Sequence, residues 1–514
     1  MSQISIAKRL RARKERMRRR LDKNRFHEEE GPVLGASNIH FELADRTLAT
    51  NYGGIGLIHD LVRDLKLAKE IDDRLHVLKI HMPYHESDHV LNLAYNILCD
   101  GQCLEDIENR RQDEAYLNGL GAERIPDPTT AGDFCRRFSE RNLQELHEAF
   151  DAVRQRVWAR QGVNFFQMAT IDVDGTLVGT HGECKQGMSL SYKGTWGYHP
   201  LLVTLANTGE VLRLVNRPGN RPSHEGAAKY LDEVIALCIH AGFQRIVLRG
   251  DTDFTQTTHL DRWHERGNVH FVFGMDVTAA RHIEVDDLPE TAWKTLQRPP
   301  RYEVKTKSRC RRDRVKQQVV DANGYKDIRL CFEEVAEMEY RPVACRHTYR
   351  LIILRKQLEV RQRDQLEFLP DYRYFFYLTN DRDSTPEQII FSANDRCQQE
   401  NVLAQLHGLR ALHAPVDNLT SNWAYMLMGS LAWNLKAWLA LSLPQPKGRW
   451  HQKHADEKDR VLRMEFRTFV NAFVRIPCQI LTTGGKIVYR LLAWNPWQGL
   501  FFRLASQLSN RLRC

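Results

Sequence analysis

Three acidic residues stand where strands and a helix end or begin, and their chemistry is the first question the sequence raises. Asp174 closes the segment TIDVD, which starts at Thr170 and runs on into Gly175 and Thr176. Asp251 ends RIVLRGD, and Glu400 lies in NDRCQQENVLAQLHGL. Carboxylates from separate elements are the ligands required to hold two divalent ions ~3.5–4 Å apart for phosphodiester chemistry. Hard oxygen donors suit Mg2+ or Mn2+, so two ions of one of these are the cofactors expected. Asp172 projects from the same strand face as Asp174 by the period of two, which makes it an auxiliary metal ligand. Arg396 and His407 share a helical face with Glu400 and are candidate DNA contacts.

D-x-D-G-T after a strand is also the nucleophile motif of haloacid-dehalogenase-type phosphatases. That chemistry needs a further acidic pair of the form G-D-x-x-x-D. In LRGDTDFTQ the position four after Asp251 is Thr255, so the pair fails.

The elements that must position these acids are legible from periodicity. Residues 1–35 form a basic arm and linker, with Lys8, Arg9, Arg11, Arg13, Lys14 and Arg16 among its cations. Residues 36–162 read as a helical DNA-binding region, in which LIHDLVRDLKL and HVLNLAYNILCDG place apolar residues three and four apart. Within it, IPDPTTAGDFCRRF suggests a Thr-capped helix exposing Arg136 and Arg137 to DNA. From 163 to 275 the order strand–strand–strand–helix–strand predicts the first part of an RNase H-like core. Residues 276–372 read as a basic, β-rich insertion domain, residues 373–445 as the second part of the core, and residues 446–514 as a helical region. The fold class expected is therefore α/β, of the mixed α+β kind.

In the insertion, Arg309, Arg311, Arg312, Arg314 and Lys316 are spaced to neutralise phosphates. Trp293 is either a core residue or a platform for an unpaired base.

The totals agree with a globular nucleic-acid enzyme. The chain has 514 residues, 42% hydrophobic and 27% charged, with a net charge of +9. A prior of ~150 residues per domain gives two to four domains. The eleven cysteines include no C-x-x-C pair, so neither a zinc ribbon nor a disulfide framework is indicated. No apolar segment follows the basic arm, and the stretch from Met426 carries Asn434 and Lys436. A buried helix fits that stretch better than a membrane span. A cytoplasmic, nucleoid-associated protein is expected, with no membrane partner.

IDVDGT, KGTWGYHPLLV, LRGDTDF, the QQEN helix and PVDNLTSNWAYMLMGSLAWNLKAW together resemble a DDE transposase of a bacterial insertion sequence. The similarity is to the Tn5-like branch, and most to the insertion sequence thirteen-eighty family. The resemblance implies Asp174, Asp251 and Glu400 as the catalytic triad, double-stranded DNA as partner, and a homodimer in a synaptic complex. It also implies a Y-(2)-R-(3)-E-(6)-K signature, which this chain departs from at Ala393 and His407. The rival expectations are an RNase H-like nuclease or resolvase without strand transfer, and a DNA-binding protein whose catalysis has lapsed.

Overall fold

In the computed structural model, the structure describes residues 3–22, 36, 39–42, 45–81, 83–180, 182, 184–276, 278–299, 327–362, 365–366, 371–445 and 448–512. Arg309, Arg311, Arg312, Arg314 and Lys316 lie outside them.

The chain opens with α1 (Gln3–Arg20) and continues through α2 (Ile55–Asp64), α3 (Glu86–Leu98), α4 (Pro128–Arg136) and α5 (Glu140–Trp158). The arm is thus helical over most of its basic run. Its apolar edge turns inward, and Arg13 Nη1 donates to the carbonyls of Leu491 and Ala493 at 3.1 and 3.3 Å. The cap of α4 differs from expectation. Asp127, not a threonine, accepts the backbone N–H of Thr130 at 2.9 Å. Pro128 fills the first helical position, where a missing N–H costs nothing.

The mixed α/β fold is built on one large sheet. Its strands are β1 (Met168–Gly175), β2 (Leu201–Leu205), β3 (Glu210–Val215), β4 (Arg245–Gly250), β5 (Val269–Met275), β6 (Asp327–Tyr340), β7 (Tyr349–Gln362) and β8 (Asp371–Thr379). Among these the spatial order is β6-β7-β8-β5-β4-β1-β2-β3. β1 runs parallel to β4, and β4 parallel to β5, while β2 and β3 are antiparallel. This is the strand arrangement expected of an RNase H-like core. The helix α6 (Ala227–Ala241) crosses from β3 to β4. β1 is buried from Ala169 to Val173, because helices cover the sheet and a central parallel strand has no wet face.

β8 hydrogen-bonds to β5 on one side and β7 on the other. The expected boundary between residues 372 and 373 falls within this strand. The hairpin β6–β7 is less basic in effect than its composition suggests. Glu334 faces Arg355, and Glu333 faces Lys356 across the ladder, and each pair forms an ion pair. Opposite charges directly across an antiparallel pair stabilise it and leave fewer cations for DNA.

After β8 come α7 (Pro386–Asp395), α8 (Cys397–Gly408), α9 (Leu419–Leu441) and α10 (His451–Leu462). Thr385 caps α7 with a reciprocal Gln388 box. α9 is buried from Ser421 to Leu441, and a helix apolar on all sides belongs inside a protein of this size. Two of its buried polar residues tie it to neighbouring segments. Asn434 bonds both the N–H and the carbonyl of Val211, and Lys436 donates to the Leu462 carbonyl at 3.0 Å. Among the described residues no helix is long and apolar enough to cross a membrane.

The chain ends with the hairpin β9 (Cys478–Thr483) and β10 (Lys486–Leu491), then α11 (Gln498–Arg511). Ala49 and Thr50 pair with β9, so both ends of the chain share one sheet. A second tie is the buried carboxylate of Glu210. It accepts from Arg154 Nε, Trp158 Nε1, Thr208 Oγ1 and Trp438 Nε1, joining α5, β3 and α9.

Candidate active site

The parallel register of β1 and β4 decides where the first two acids stand. Asp172 is the direct partner of Arg249. Two residues on come Asp174, still within β1, and Asp251, the first residue past β4. Neighbouring strands lie ~4.8 Å apart, so the two acids follow adjacent positions at the sheet's end. The charge of Asp251 bears on the proton affinity of Asp174. Burial pushes the Asp174 carboxyl up to about 6, with Arg396 pulling the other way and Asp251 adding to the rise. Burial also raises Asp251, opposed by Arg396 and reinforced by Asp253 and Asp276.

Each carboxylate is oriented by backbone. Asp174 Oδ1 accepts the N–H of Gly175 at 2.8 Å, and Asp251 Oδ1 accepts that of Asp253 at 3.1 Å. Gly175 is required by space: a Cβ there would stand 2.8 Å from His199 Nε2. His199 Nδ1 lies 2.7 Å from the Arg221 carbonyl and therefore carries the ring proton.

Glu400 sits in the first turn of α8, with its side chain 60% exposed. The preceding residue fixes the helix. Gln399 is buried, and its Nε2 donates to the carbonyls of Asp172 and Leu202, both at 3.2 Å. Arg396, just before α8, reaches Asp174 Oδ2 at 3.0 Å and Glu400 Oε1 at 3.7 Å. Arg396 thus links Asp174 to Glu400, and Asp251 lines the same cavity as Arg396. Among the described residues no three acidic, histidine or cysteine side chains are gathered closely enough to hold an ion.

His407 Nε2 lies 3.0 Å from Thr176 Oγ1, tying the far end of α8 to the turn after Asp174. Asp172 is committed elsewhere. Arg249 holds both its oxygens, at 2.6 and 2.8 Å, and also donates to the Ser392 carbonyl. Trp293 is buried, with Arg355 lying 4.1 Å over its ring and Tyr374 beside it. Arg136 and Arg137 are exposed, Arg136 being paired with Asp133 and Asp417.

Arg249, Gln399 and His199 carry the geometry and were not singled out from sequence. A signal for Arg249 is present. It precedes Asp251 by two, as Asp172 precedes Asp174 by two, and that repeat marks a cross-strand pair beside a cross-strand acid pair.

The family profile described as Transposase DDE domain group 1 matches residues 34–513. The chain belongs to this family. No curated protein compared with this DDE transposase matches it. Among solved structures, a piggyBac transposase in a cryo-EM synaptic complex with hairpin DNA is similar over 82% of this transposase and 83% of its own chain. The two are 11% identical, with a TM-score of 0.35. The donor set of the transposase fits hard divalent cations. Asp174 and Asp251 present oxygens alone from adjacent strand ends, and Glu400 adds another from the helix packed across β1.

Proposed function

We propose that this DDE transposase cuts DNA at the terminal inverted repeats of its own mobile element and joins the freed end to a target. Asp174, Asp251 and Glu400 are its catalytic carboxylates. The single observation that supports this reading is the parallel register of β1 and β4, which pairs Asp172 with Arg249 two residues before Asp174 and Asp251. Quoted motifs such as KGTWGYHPLLV and LRGDTDF support a place in the insertion sequence thirteen-eighty family, in the Tn5-like branch. Two copies acting together on paired ends follow from that same resemblance.

Two Mg2+ or Mn2+ ions, when bound, activate the attacking oxygen and stabilise the leaving 3′ oxygen. The protein's own work is to hold and orient. Backbone amides of Gly175 and Asp253 fix which oxygens of Asp174 and Asp251 face the cleft. Gln399 anchors α8 so that Glu400 meets them from the opposite side. Arg396 and His407 orient the scissile phosphate. Arg136 and Arg137 contact flanking phosphates, as do Arg309, Arg311, Arg312, Arg314 and Lys316 of the insertion.

The test uses duplexes carrying the element's ends, plus a supercoiled target. Asp251→Ala and Glu400→Ala should abolish cutting and joining while end binding persists. Undiminished cutting by either variant sinks the assignment. Cutting without any joined product would favour a nuclease over a transposase.

A further inference from the structure

Acids that share a cleft repel one another unless a positive charge stands among them. Here that charge belongs to Arg396. Its Nη1 meets Asp174 Oδ2 and its Nη2 approaches Glu400 Oε1. Asp251 lines the same cavity as Arg396. The guanidinium side chain is only 17% exposed, so water and salt screen these attractions poorly.

A guanidinium and a divalent ion want the same oxygens. On Asp174, Oδ1 is taken by the Gly175 amide and Oδ2 by Arg396. An ion at Oδ2 would stand against the positive guanidinium at close range, so it binds more weakly while the arginine stays. There is room for the guanidinium to move away. A cavity of about 480 Å3 opens beside Arg396, walled by Asp276, Tyr374, Tyr377 and Asn394 among others. A phosphate entering the cleft offers the guanidinium a better partner still, because it presents two oxygens in the fork geometry arginine prefers.

We propose that Arg396 is the internal counter-ion of Asp174, Asp251 and Glu400, that it competes with the divalent metal for them, and that a DNA phosphate releases it. Metal and DNA then bind with positive coupling, each strengthening the other by the same factor. A transposase arranged this way holds its ions weakly until DNA is seated. The inference rests on the carboxylate reading given under Proposed function.

Calorimetric titration of Mn2+ into the full chain tests it, with and without a pre-cleaved end duplex. The wild type should bind Mn2+ at least about fivefold more tightly when the duplex is present, within the usual range of coupling. Arg396→Gln should bind Mn2+ that tightly without DNA, and the duplex should add little. Its melting temperature should fall without metal and rise more on adding Mn2+ than that of the wild type. If Arg396→Gln does not fold, Arg396→Met carries the test, since it keeps an apolar stem and removes the charge, and Mn2+ should again bind more tightly than to the wild type. No gain in Mn2+ affinity in the folded variant overturns the proposal, provided Asp251→Asn abolishes the binding. Mn2+ binding untouched by Asp251→Asn overturns both the proposal and the carboxylate reading beneath it.

Discussion

Asp172 and Arg249 face each other on neighbouring parallel strands, and one guanidinium holds both oxygens of one carboxylate at 2.6 and 2.8 Å. The pair is buried, at 1% and 5% exposure, and it sits one strand repeat below the two acids of the candidate site. It acts as the spacer that sets their register. Removing one partner of a buried pair leaves an uncompensated charge and destabilises by about 3–5 kcal/mol. Asp172→Ala should therefore lower the free energy of unfolding in urea by that much. A variant as stable as the parent would show that the pair is not holding the strands.

Glu210 makes a similar prediction at the junction of α5, β3 and α9. Its carboxylate is fully buried and accepts from two tryptophans, an arginine and a threonine. Glu210→Ala orphans all four donors and should cost about 3–5 kcal/mol in chemical unfolding. Loss of near-ultraviolet signal from Trp158 and Trp438 should accompany it. An unchanged unfolding curve would refute the role given to this knot.

Acid should weaken metal binding before it unfolds the protein. Asp174 holds its proton up to about 6, and an ion must displace that proton. Mn2+ affinity, read by calorimetry, should fall steeply as pH drops from 7 to 5. The sign for stability without metal is the reverse. The folded value lies above the ordinary value of 3.8, so protonation of Asp174 favours the fold. That contribution is complete below 3.8 and is lost as pH rises through about 6. Asp174→Asn should flatten this part of the stability profile.

The basic helix α1 should contribute salt-sensitive affinity. Lys8, Arg9, Arg11, Lys14 and Arg16 are exposed, whereas Arg13 is spent on the Leu491 and Ala493 carbonyls. Replacing the exposed residues by Gln should reduce the slope of log K against log salt by up to about 0.9 per lost phosphate contact. Fluorescence anisotropy with a duplex of arbitrary sequence measures it. An unaltered slope would place the DNA elsewhere.

Much of the core was legible because its signals are local. LLVTL and EVLRLV are short apolar runs bounded by turns, and they form β2 and β3. Asp174 and Asp251 are legible because each ends such a run. What joins them is not local. The matched spacing of Asp172 before Asp174 and Arg249 before Asp251 points to the pair, but register between strands separated by a helix is fixed only when the sheet is assembled. The charge balance of β6–β7 is hidden in the same way. Arg355 reads as a free cation in sequence and is matched by Glu334 only across the ladder. The cap of α4 was misread because two threonines follow a better acceptor, Asp127, by one and two positions past Pro128.

The pairing of Ala49 and Thr50 with Cys478 and Gln479 also sets a timetable for the newborn chain. Residues 478–483 must leave the ribosome before this strand pair can close, so the small sheet that holds Ala49 and Thr50 forms late.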